Sequence, residues 1–85
     1  MKVLFERGIV DMKDYDRIEY HKFNSMFKTK FCVFVKKEIG WIDKLIVTFD
    51  KEEYAKKFIE DFLNDWLNEE LCFNVNKWVE ENVEQ

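Results

Sequence analysis

The chain has 85 residues, of which 47% are hydrophobic and 38% charged, leaving little Gly, Ser or Asn and no Pro from which a flexible linker could be made. One domain is expected over residues 1–85, with an aromatic share of 18% enlarging the core that so short a chain can bury. One His, one Ser, two Thr and two Gly are too few to assemble a nucleophile, a base and an oxyanion hole, which argues against an enzyme, and no cofactor motif is present.

The net charge of −4 conceals an asymmetry. Residues 1–44 carry ten Lys or Arg against seven Asp or Glu, whereas residues 45–85 carry four against eleven. After Lys57 the sole base is Lys77, so the C-terminal part projects a negative field that attracts basic surfaces and repels nucleic acid. The apolar runs are too short to cross a bilayer, and no signal-peptide pattern opens the chain, which predicts a soluble cytoplasmic protein. Cys32 and Cys72 lack metal or redox spacing and are expected as reduced core residues. The abundance of Phe, Lys, Glu and Asn beside a single Ala fits an AT-rich genome.

In chain order, Met1, Leu4, Phe5, Gly8, Ile9 and Met12 recur at helical spacing and favour a short N-terminal helix, although Val3, Phe5, Ile9 and Val10 would also suit a strand. Residues 16–23 fit an edge strand whose Arg and Lys discourage further pairing. Phe31 to Val35 form a β-branched and aromatic run suited to a central strand, and Leu45 to Phe49 form a second. The two should pair as an antiparallel hairpin turning near Gly40.

Asp50, three residues ahead of Glu53, reads as the cap of a helix running from 51 to about 70. Its apolar stripe comprises Tyr54, Ala55, Phe58, Ile59, Phe62, Leu63, Trp66 and Leu67. A second short helix follows, capped by Asn74 or Asn76, with Val75, Trp78, Val79 and Val83 on its buried side. The expected fold is α+β: a three-stranded antiparallel sheet packed on a long helix, flanked by the two short helices.

Few side chains suggest chemistry. Glu19 and His21 would share one strand face, but two ligands make a poor metal site and His21 reads as a surface histidine. The adjacent pairs Glu69 with Glu70 and Glu80 with Glu81 lack the facing geometry of a catalytic carboxylate pair. Phe58, Phe62 and Trp66 read as core, because a base-stacking platform needs surrounding Lys and Arg. Lys28, Lys30, Lys36 and Lys37 could bind phosphate weakly, or simply guard strand ends. Trp41, beside Gly40 in the expected turn, is either a lid over the sheet edge or an exposed interface anchor.

Several of these residues are collinear with a known pattern: Lys13, Asp14 and Tyr15 entering the first strand; an apolar strand at 31–35 ending in a turn with Glu38 and Gly40; then Lys57, Phe58 and Ile59 followed by Phe62, Asn64 and Trp66. Together they resemble the small Listeria prophage anti-CRISPR family that inhibits Cas9. The resemblance implies an acidic mimic of the PAM duplex, whose carboxylates would satisfy the Arg and Lys that read guanine edges and hold phosphates in Cas9 with guide RNA. It also implies binding roles for Asp14, Glu38, Glu69 and Glu70. Where the family has a dense acidic stretch between its last helices, this chain has residues 71–76, Leu-Cys-Phe-Asn-Val-Asn, and its hairpin gains Lys36, Lys37 and Trp41. Two other functions fit the same composition: a homo-oligomeric structural or regulatory module using Trp41 and a sheet edge, and a nucleic-acid binder using the four strand lysines.

Overall fold

The computed structural model describes residues 1–40 and 42–84. Its fold is α+β with two three-stranded sheets and two helices. Strands β1 (Lys2–Phe5) and β2 (Gly8–Asp11) form a hairpin, and a 3-10 turn over Met12–Asp14 leads into β3 (Arg17–Asn24), β4 (Thr29–Lys37) and β5 (Ile42–Phe49). Helix α1 (Glu52–Asp65), strand β6 (Cys72–Asn74) and helix α2 (Val75–Asn82) complete the described chain.

The expected antiparallel sheet is present, with β4 between β3 and β5 and the β4–β5 turn at Gly40, whose φ of 93° suits glycine. Phe31, Val33 and Val35 alternate inward from β4 and are buried, so one face of the central strand supplies core. A bulge opposite Val33 and Phe34 leaves Ile46 out of the pairing ladder, and its side chain is buried with the core.

The N-terminal helix is not formed. Met1, Val3 and Phe5 are buried with the period of a strand, Ile9 is 62% exposed, and Gly8 at the hairpin turn has φ of 143°, which no helix accommodates. The missing information was a distant partner: β6 pairs in parallel with β1, completing a second sheet in the order β2-β1-β6. Helix α1 is likewise shorter than expected. Asn68 ends the segment, its backbone N–H donating to the Asp65 carbonyl at 3.0 Å and its side chain accepting from the Glu70 N–H at 3.2 Å, an Asx-type turn that competes with helix.

The start of α1 departs from expectation too. Lys51 occupies the cap position and makes no side-chain capping bond, since an ammonium has no acceptor; Asp50, one residue earlier, accepts from Lys30 Nζ at 2.6 Å. The expected cap of the second helix does form, the Asn74 side chain accepting from the Lys77 N–H at 3.0 Å. The two cysteines are free, but neither is a core residue: Cys32 is half-buried on the outer face of the sheet and Cys72 is exposed.

The core joins all layers through an aromatic chain. Phe58 meets Phe49 of β5, Phe62 of its own helix, Phe73 of β6 and Trp78 of α2, with ring centroids 5.1–5.9 Å apart. The helices lie antiparallel, because Trp78 Nε1 donates to Asp61 at 2.8 Å and, one turn along each, Lys57 Nζ donates to Asn82 at 3.0 Å.

Candidate functional site

The acids implicated by sequence are gathered at the end of the molecule where β3 begins and α1 stops. Asp16 is the clamp that builds this end. Its backbone N–H donates to the Lys36 carbonyl at 2.8 Å and its carboxylate accepts from the Glu38 N–H at 2.8 Å, tying the β4–β5 turn to the entry of β3. Glu38 is exposed on that turn, and Asp14 is exposed in the 3-10 turn two residues before Asp16.

A shallow cavity of about 180 Å³ beside the 3-10 turn is lined by Met12, Lys13, Trp66, Leu67 and Glu69. This places Glu69 against the segment that carries Asp14. Glu70 follows in the same exposed turn. Glu69 and Glu70 therefore project from a turn beyond α1 and not from its last helical turn, and the geometry joins Asp14, Glu38 and Glu69 through Asp16, Trp66 and Leu67. Trp41, expected as a lid over the sheet edge or an interface anchor, lies outside the described residues.

Between these acids is an apolar groove of about 350 Å³ lined by Asp16, Arg17, Ile18, Leu63, Trp66 and Leu67. The helical stripe read from the sequence does not end up wholly buried: Phe58 and Phe62 are fully enclosed, while Leu63 is 52% and Leu67 91% exposed. Leu63 follows Phe62 directly but points to the flank of the stripe, and Leu67 lies past the helix end at Asp65, so both contribute to a surface. Spacing alone could not separate them from the core residues.

The charges around the groove differ in availability. Lys13 lies 3.8 Å from Asp11 and Arg17 lies 3.9 Å from Glu19, so both bases have acidic neighbours within their own segments. Among the described residues, Asp14, Glu38, Asp65, Glu69 and Glu70 take part in no ion pair, and neither do Glu60, Glu80, Glu81 and Glu84. Exposed carboxylates of this kind can accept from an external Arg or Lys without first breaking an internal pair.

The outer face of the β3–β4–β5 sheet carries the complementary case. Lys36, only 17% exposed, donates to Glu19 at 2.6 Å and lies 3.7 Å from Asp43, while His21 Nε2 is 3.2 Å from the same Glu19. The Lys36 bond, followed by that of His21, holds the Glu19 carboxyl below its ordinary pKa, and Glu19 holds Lys36 above its own. Glu19 and His21 do share a face, but among the described residues no group of three or more His, Cys, Asp or Glu could hold a metal ion. Two of the four candidate phosphate-binding lysines, Lys30 and Lys36, are thus already paired with carboxylates.

No helix among the described residues is long and apolar enough to cross a membrane. Compared with known proteins, the chain matches no protein family, no curated protein and no solved structure.

Proposed function

We propose that this chain is a small phage or prophage inhibitor that binds a basic DNA-binding nuclease of the host cell, such as Cas9 carrying its guide RNA, in stoichiometric amounts and in competition with DNA. One observation carries this reading: Asp14, Glu38, Glu69 and Glu70 are exposed and, among the described residues, free of ion pairs, whereas Lys13 and Arg17 beside them have acidic neighbours. These acids are the four that the resemblance to the anti-CRISPR family implies.

The chemistry required is binding, with no bond made or broken. A cleft that reads DNA presents Arg to guanine edges and Lys to phosphates, and both groups accept a carboxylate in place of their usual ligands. Since the field is long-ranged, its main effect falls on the association rate. Glu69→Lys combined with Glu70→Lys should slow association with guide-loaded Cas9 by about tenfold or more at low salt, with little change in folding because both side chains are exposed. Surface plasmon resonance measures this directly, and an unchanged association rate would remove these acids from the interface.

A further inference from the structure

The end of the molecule opposite the acidic groove carries an exposed apolar tip. Strands β3 and β4 are joined through Ser25, Met26, Phe27 and Lys28, with Asn24 paired to Thr29. A four-residue loop is usually built around a type I turn, which most residues can occupy, so the turn itself does not require large apolar side chains at its tip. Here the tip is Met26 and Phe27, which are 91% and 89% exposed.

The tip is held, not frayed. The Ser25 N–H donates to the Lys28 carbonyl at 2.8 Å, the Lys28 N–H donates to Ser25 Oγ at 3.1 Å, and Thr29 Oγ1 donates to Asn24 Oδ1 at 2.9 Å. Two large apolar side chains are therefore presented on a fixed, convex knob. Lys22 and Lys28 flank it and, among the described residues, enter no ion pair.

A convex apolar knob with a basic collar calls for a concave apolar seat with an acidic rim. The molecule has a shallow one: the groove of Ile18, Leu63, Trp66 and Leu67, with Asp16 and Arg17 in its wall and Glu69 in the adjoining cavity. Arg17 lies 3.9 Å from Glu19, whereas among the described residues Asp16 and Glu69 enter no ion pair and stay available to a basic collar. Knob and groove are at opposite ends of β3, whose eight residues span roughly 26 Å, so one chain cannot fill its own groove.

We infer that the Met26–Phe27 tip of one copy docks into the Leu63–Trp66–Leu67 groove of a second copy, joining chains head to tail. The contact is heterologous: each copy offers one knob and one groove, so association continues into a ring or a chain instead of stopping at a symmetric dimer. The acidic end is covered in every such contact, and self-association and binding of a basic partner would therefore exclude each other at that end.

Sedimentation velocity on the full chain tests this with two variants whose changed residues are exposed and outside the core. One is Met26→Ser with Phe27→Ser, which keeps the groove; the other is Leu63→Ser with Leu67→Ser, which keeps the knob. Wild type should grow in mass with concentration, and each variant alone should weaken self-association at least about tenfold. Mixed together, the two variants should form a one-to-one pair that grows no further, since only one intact knob and one intact groove remain. Wild type that stays monomeric at millimolar concentration would overturn the inference, as would a knob variant that still assembles or a mixture that fails to pair. Sedimentation of a monomeric chain with anionic phosphatidylglycerol vesicles, lost on Phe27→Ser, would also overturn it by assigning the knob to a membrane.

Discussion

Helix α1 carries one apolar stripe with two fates. Over its first turns Ala55, Phe58 and Phe62 are fully buried, locked between β5, β6 and α2 by aromatic contacts. Leu63, directly after Phe62 but turned about 100° from it around the axis, and Leu67, beyond the helix end at Asp65, stand in solvent beside the half-buried Trp66 at the acidic end. What differs is direction around the helix and distance past its end, so the comparison separates apolar surface used for folding from apolar surface left available for recognition.

The largest effect should come from the buried part. Phe58→Ala removes a fully enclosed ring from the junction of both sheets and both helices and should cost about 3–5 kcal/mol in denaturant unfolding. A loss below about 1 kcal/mol would mean that this part of the stripe is no more committed to the core than Leu67 is. Next in size is the bond that ties the helices together. Trp78→Phe keeps the packed ring system but removes the N–H donated to Asp61, and should cost about 1.5–3 kcal/mol, because the acceptor is charged and half-buried. Leu67→Ser, at the exposed end, should change stability by less than about 0.5 kcal/mol. A loss comparable to that of Phe58→Ala would show that the groove is part of the core.

The smallest effect is electrostatic and belongs to the outer sheet face. Glu19 has its folded pKa lowered, chiefly by the bond from Lys36, so its contribution is present above the ordinary glutamate range and is lost as pH falls through the lowered value. Lys36 is raised, so its contribution is present below the ordinary lysine range and is lost as pH rises through the raised value. Carbon-detected NMR titration should place the Glu19 midpoint below the ordinary glutamate range. Glu19→Gln should flatten the acid limb of the stability profile.

How much of this was legible in the sequence depends on how far each element's partner lies along the chain. The β3–β4–β5 sheet could be read because its strands follow one another and Gly40 marks a turn. The second helix could be read from Asn74 and the spacing of Val75 and Trp78. Strand β1 could not, since its identity depends on Cys72–Asn74 arriving from the far end of the chain, and without that partner Met1, Leu4, Phe5 and Gly8 satisfy helical spacing as well. Asp50 had the residue type of a cap, but the helix starts one residue later than read, putting Lys51 at the cap and leaving Asp50 to pair with Lys30 across the sheet. At the candidate site, the acids were visible as composition, whereas the groove between them was hidden inside an unbroken apolar stripe. The Met26–Phe27 tip had one sequence signal, two large apolar residues between two strands where the turn itself requires none.

Competition tests the proposed substitution of the acidic end for DNA on a basic nuclease. Guide-loaded Cas9 is immobilised with and without preloaded target DNA, and binding of the wild-type chain is compared with that of the Glu69→Lys, Glu70→Lys variant. Mimicry predicts that preloaded DNA blocks the wild-type chain and that the variant binds weakly even to the DNA-free complex. Simultaneous binding of DNA and the chain, or equal binding of wild type and variant, would contradict it.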